Sequence, residues 1–344
     1  MKKYVYAIIV VLIVASAGII IYEKSQAKRT IYVVSMTADE MSRALKNGTI
    51  KGFISWEPYD SKAVTSGYGR YLVNSRDIWN NHPSCIIAIS EDLKDEDMIR
   101  ALLWAHMKGT RFINDPANRE KVLKYGSEFT GVDRTTVSEA INNTVYQEFP
   151  DLKETKKGFE ILNEAGTFKK SQDYNDLDGF LSSIILDRYY NDIRKKLEDN
   201  PDWAPPAVNG SMRFGYLDGN LHELAMYVAE KEGYFEKAGL VPGKNIQFIG
   251  YRNGLAIMNA FDHREVDAAT LGMTPVLRYR INDNGRVNII GGVNSGGSSL
   301  IVGADSDINS IDDLNGNTIA TPGFGSCQDV VMRKMFEGFE IKAK

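Results

Sequence analysis

Between Ile31 and Trp56 the spacing of apolar positions changes twice. Ile31, Tyr32, Val33 and Val34 form a short apolar run, Met41, Ala44 and Leu45 recur at helical spacing, Gly48 interrupts, and Gly52-Phe53-Ile54-Ser55-Trp56 is again extended. The pattern predicts strand, helix, strand. Past Pro83, the run Cys85-Ile86-Ile87-Ala88-Ile89 predicts another strand. Helical spacing then takes over at Met98, Leu102, Ala105 and Phe112, at Val137, Ile141 and Val145, and at Phe180, Ile184, Ile185 and Tyr189, so helices are expected from 94 to 197. Residues 199–211 hold three prolines and no period, which reads as a linker. Beyond it, strands are expected at 212–216, 245–249, 266–271, 287–291, 299–302 and 317–321, with helices at 221–232, 254–263 and 326–337. This alternation implies mostly parallel sheets covered on both faces.

The N-terminal run 4–22 is apolar apart from Ser16 and tyrosines, and at ~1.5 Å per residue it approaches the ~30 Å of a bilayer core. It is expected to be a signal-anchor with the body outside the cytoplasm. A cleavable signal is the competing reading, because Ala15-Ser16-Ala17 has the small-x-small form, but Ile19-Ile20-Ile21 directly after it suits an anchor better.

Hydrophobic residues make up 43% of the 344 and charged residues 25%, enough for a substantial core. With 41 Lys and Arg against 45 Asp and Glu, no reserve of positive charge is left for a nucleic-acid backbone. Cys85 and Cys327 form no spaced cluster, and His82, His106, His222 and His263 show no metal-ligand spacing, so neither a metal site nor a cofactor is expected. There is no GxxxxGK[ST] loop, no GxSxG elbow and no GxGxxG after a strand. Enzymatic readings are therefore weak.

Residues 212–222 (MRFGYLDGNLH) followed by 227–240 (YVAEKEGYFEKAGL) resemble the opening of the nitrate/sulfonate/taurine-type substrate-binding proteins of ABC importers. Residues 266–275 (VDAATLGMTP) and 311–326 (IDDLNGNTIATPGFGS) resemble that family's next two landmarks, in the usual order. Gly52-Phe-Ile-Ser-Trp-Glu-Pro58 resembles its later GxxDAxxxWEP stretch, with Gly52-Phe53 in place of the usual Asp-Ala, and the helical block resembles its C-terminal third. The landmarks therefore run in inverted order. Read as 211–344 followed by 30–200 they fall into the usual sequence, which favours a circular permutant over the remnant of a tandem pair.

The resemblance implies a two-lobed periplasmic-binding-protein-like (type II) fold with a hinge, plus the N-terminal transmembrane helix. Residues 1–29 would be anchor and stalk, 30–80 with 310–344 lobe II, and 81–309 lobe I, the last divided into a helical block (94–198), a linker (199–211) and an α/β part (212–309). Permutation would bring Ile31–Val34 beside Thr318–Thr321, with Lys344 close to Thr30.

Ligands of such proteins sit between lobes, beyond the carboxyl ends of parallel strands. Gly325 and Ser326 lie where a strand turns into a helix, so free N–H groups, the helix dipole and the Ser326 hydroxyl can receive an anionic oxygen; an ordinary N-cap is the bland alternative. Asn220 and His222 open a helix of the other lobe, and Arg252 at the next strand-to-helix turn offers the guanidinium fork. Gly272, Met273, Thr274 and Asn294 end strands and can line the pocket. Trp56 can supply an apolar wall and Glu57 can meet an amine, although a core Trp and a capping Glu would use the same residues. The resulting expectation is capture of a small anionic solute for an ABC permease; the alternative is an anchored sensor or scavenger that has no permease.

Overall fold

The computed structural model describes residues 28–169 and 176–344, and the anchor expected at 4–22 lies outside them. Among the described residues no helix is long and apolar enough to cross a membrane. Two mixed sheets organise the chain. Numbered along the sequence, the larger has the order β13 (Glu340–Ala343), β1 (Thr30–Ser35), β12 (Thr318–Thr321), β2 (Gly52–Ile54), β11 (Ser299–Gly303), β3 (Gly69–Asn74). The smaller runs β7 (Ile246–Tyr251), β6 (Met212–Leu217), β8 (Ala268–Gly272), β4 (Cys85–Ser90), β9 (Val287–Gly292). A short pair, β5 (Thr144–Tyr146) with β10 (Asn294–Gly296), lies outside both.

The sheets are less uniformly parallel than expected. β11 runs antiparallel to β2 and β3, and β4 antiparallel to β8 and β9. The cause is topological: these are the strands by which the chain enters one sheet from the other, after β3 in one direction and after β10 in the other. Ser299–Gly303, expected with residues 81–309, consequently belongs to the larger sheet.

Alternation explains how both sheet faces are buried. Cys85, Ile87 and Ile89 of β4 pack with Trp104, Leu102 and Phe214, whereas Ile86 and Ala88 face the opposite way into a cluster with Ile257, Leu277 and Phe159. Helix Glu96–Asn114 covers the first face and Gly254–Asp262 with Met273–Asn282 covers the second. On the larger sheet, Ile31, Val33 and Ile319 meet Val331 and Met332 of helix Cys327–Met335 and Phe336 at its end, and Phe53, Ile301 and Ala320 meet Met41 and Leu45 of helix Ala38–Lys46.

β1 pairs in parallel with β12 from Tyr32–Thr318 to Ser35–Thr321, within one chain. The chain's end departs from the expected arrangement. β13 lies beside β1 in the same direction, and Lys344 N–H donates to Val33 C=O at 3.0 Å, so Lys344 sits towards the far end of β1 from Thr30. Parallel neighbours need a crossover and not a short loop. Residues 199–211 are also more than a linker: Trp203 C=O accepts from Trp104 Nε1 at 2.9 Å, Val208 N–H donates to Ala238 C=O, and Asn245 Nδ2 donates to Gly210 C=O. They form a strap laid on the smaller-sheet half.

Candidate functional site

Parallel strands β2, β6, β7, β8 and β12 end around one cleft of about 800 Å³. Its walls combine Trp56 beyond β2, Asn220 and His222 beyond β6, Arg252 beyond β7, Gly272 closing β8, and Gly325 and Ser326 beyond β12. Seven of the eleven candidate positions, drawn from distant parts of the chain, thus share one cavity.

The other four do not line it. Glu57 is fully buried behind the wall, where its carboxylate accepts from Ser61 N–H at 3.0 Å and Asn143 Nδ2 at 2.8 Å, so it does not offer itself to a ligand amine. Asn294 is consumed in backbone pairing: Oδ1 accepts from Cys85 N–H at 3.1 Å and Nδ2 donates to Gly296 C=O. Met273 donates its N–H to Ser84 C=O, and the buried Thr274 follows it into the helix Met273–Asn282.

The Gly-rich turn also differs from the expected open anion cradle. Ser326 Oγ donates to Gly323 C=O at 2.7 Å and accepts from Asp329 N–H at 3.1 Å. Gly325 N–H donates to Asp329 Oδ2 at 2.7 Å. Asp329 is itself buried, with Arg333 Nε 3.0 Å from its other oxygen; burial raises its pKa while the Gly325 bond and Arg333 oppose the rise. An internal carboxylate therefore already occupies part of the helix start. Positive charge comes instead from Arg278, which the sequence reading did not single out. It lies against Gly325, where an added Cβ would come within 2.6 Å of Nη1 and where φ is +80°. Its Nη1 reaches Phe324 C=O at 3.4 Å, and its buried Nε has no partner among the described residues.

Trp56 stands edge-on to Tyr59, centroids 5.4 Å apart, and its buried Nε1 also has no partner among the described residues. Arg252 is exposed in the cleft wall. Asn220 caps the turn Leu221–Glu223 through Oδ1 to His222 N–H. His222 is buried, with Nε2 3.0 Å from Gly297 C=O and Nδ1 3.8 Å from the Cys85 thiol. Burial lowers its pKa to about 4, so at neutral pH the ring carries no charge and Nε2–H donates to the carbonyl. His222 acts on the wall's structure and supplies no cation. Asp218, Asp262, Asp283, Lys169 and Gln328 are among the further polar lining residues. Leu255 and Phe324, both exposed, stand among the lining residues of the two sheet halves. The signal for Arg278 was present in the sequence: Val276, Leu277 and Ile281 repeat at helical spacing directly after the strand-end Gly272.

The geometry defines a mixed α/β binding fold consistent with the periplasmic-binding-protein-like class, its cleft placed at strand ends. The model of the NMT1-like family matches residues 6–126, and that of the NMT1/THI5-like family matches residues 220–344. Curated relatives include a bicarbonate transport ATP-binding protein of Synechococcus elongatus, 31% identical over 102 residues, covering 29% of this chain and 15% of the relative. A nitrate import ATP-binding protein of the same species is 31% identical over 113 residues, covering 32% and 16%. The chain thus matches only about a sixth of the length of these relatives. Both ends of the chain are thus similar to NMT1-like families, which supports the resemblance to nitrate/sulfonate/taurine-type substrate-binding proteins.

Proposed function

We propose that the chain captures a small anionic solute, of the nitrate, bicarbonate or sulfonate kind, outside the cytoplasm and presents it to an ABC permease. Closure of the two sheet halves about the strand crossings would do the work, with no covalent step. The observation that carries this is the pair of buried, unpartnered donors, Arg278 Nε and Trp56 Nε1, belonging to residues that line the cleft with Arg252. A buried donor without an acceptor is costly, and an oxyanion supplies acceptors and balances the guanidinium charge. The names of the relatives, bicarbonate and nitrate transport components, point to the same ligand class.

The reading includes a membrane anchor at 4–22 and a circularly permuted order; the β1–β12 pairing within one chain supports the latter. Full-length protein should be screened by thermal shift against nitrate, bicarbonate and small organic sulfonates. A true ligand at 100 times its Kd adds about 2.7 kcal/mol; no stabilisation by any of these anions overturns the anionic reading. Recovery of the protein in the membrane fraction with its N-terminus intact checks the anchor.

A further inference from the structure

Glu57 and Asp60 are both fully buried, in the loop and helix start that follow β2, at the seam where the chain crosses between the sheets. Glu57 touches that seam three times. Its N–H donates to Gly297 C=O and its C=O accepts from Leu221 N–H, each at 3.0 Å, while its side chain accepts from Asn143 Nδ2. Asn143 ends the helix Arg134–Asn143, which shares a cluster with Leu221 and Leu224 of the smaller-sheet half. Glu57 is followed by helix Tyr59–Thr65, which belongs with the larger sheet. Asp60 Oδ2 accepts from Ser299 N–H at 2.7 Å at the start of β11, and Oδ1 has no partner among the described residues.

We propose that Glu57, in the presence of Asp60, is a proton-controlled brace between the two halves, holding them when ionised and releasing them when it takes up a proton. The inference rests on the closing-halves reading above and adds its regulation. Both Glu57 oxygens accept hydrogen bonds, as a carboxylate does; a proton on Oε1 makes that oxygen a donor and a poorer acceptor, which weakens the Asn143 bond that reaches the other half. Burial raises the Glu57 pKa, and Glu139 on the helix Arg134–Asn143 adds to the rise. Burial and the Glu57 charge raise that of Asp60. The other groups facing the pair are Tyr71 from β3, whose hydroxyl accepts from Asn143 Nδ2, Tyr146 from β5, and the neutral His222, which shares Gly297 C=O. Arg76, on the helix start after β3, is bonded to Asn142 C=O.

The test needs no solute. Spin labels on exposed positions, Asn47→Cys and Glu236→Cys, report the distance between halves in the full chain from about pH 5 to about pH 9, with carboxyl protonation followed by infrared spectroscopy. The distribution should broaden as pH falls, in step with the carboxyl signal. Glu57→Gln, whose amide cannot accept on both sides, should stay broad at every pH. Asp60→Asn fixes the partner in the neutral form towards which burial and the Glu57 charge already push it, and should leave the pH-dependent broadening in place. A flat wild-type profile, one that Glu57→Gln leaves unaltered, or one that Asp60→Asn abolishes, overturns the brace. Should Glu57→Gln not fold, Asp60→Asn decides, since it leaves Glu57 and its bonds in place. If pH moves the distance but no anion binds, the solute reading fails and the brace stands.

Discussion

Glu223 makes a buried charge measurable. It is fully buried beside His222, and neither carboxylate oxygen meets the geometry of a hydrogen bond among the described residues. Burial pushes its pKa up to about 8, with the Thr270 hydroxyl and the Cys85 thiol only easing the rise. The unfolded chain titrates this group near 4.5. Between those values the folded state holds one proton more than the unfolded state, so stability falls as pH rises, by about 1.4 kcal/mol per pH unit for one proton. Glu223→Gln imitates the protonated form. It should lie within about 1 kcal/mol of wild type at about pH 5, then gain on it steadily, reaching an advantage of several kcal/mol by about pH 8. The other buried titrating groups cancel in the difference. His82 and His222, with pKa lowered to about 4, and His106, lowered to about 3, lose their contribution only as pH falls below the ordinary histidine range. Urea unfolding followed by tryptophan fluorescence at several pH values gives the two stability curves. Parallel curves would mean that Glu223 does not carry the extra proton, and the reasoning would fail.

Arg278→Ala should weaken binding of whichever anion stabilises the protein by roughly ten- to a hundredfold, as expected for a lost charge-assisted bond of about 1.5–3 kcal/mol; calorimetry with an unchanged Kd would return Arg278 to a structural role. Gly325→Ala forces a side chain into the left-handed region at φ +80° and against the Arg278 guanidinium. It should cost about 1–2 kcal/mol in urea unfolding and weaken the anion as well, whereas neutrality in both would refute the close approach. Fragments 1–200 and 211–344 expressed separately should each fail to unfold cooperatively, because the β1–β12 pairing and the core around Ile31, Ile319 and Val331 draw on both; a cooperative transition in either fragment alone contradicts this.

Local order was legible wherever apolar spacing was regular. The strand ahead of Asn220, the helix after Arg252 and the turn at Gly325 lie within a residue or two of their expected bounds, and the cavity they form collects Trp56 from the other end of the sequence. What pattern could not supply was the partner of each polar group. Ser326 and Gly325 carry the spacing of an anion cradle, but only tertiary geometry reveals that Asp329, four residues on from Gly325, already answers that N–H. Glu57 was invisible as a brace for the same reason: its side-chain partner Asn143 lies 86 positions away. Antiparallel β4 and β11 carry the same apolar runs as their parallel neighbours, because burial on both faces erases the alternation that would mark direction. The end strand went unread for a similar reason. Glu340–Ala343 is largely exposed, so no hydrophobic pattern announced it, and its position is held by pairing with β1 and by Ile341 against the core. In this chain the apolar pattern specifies which surfaces meet, and long-range polar pairing decides which of the groups brought together remain free to hold a ligand; that is why the proposed anion recognition is assigned to Arg278, whose Nε has no partner among the described residues, and not to the saturated Ser326.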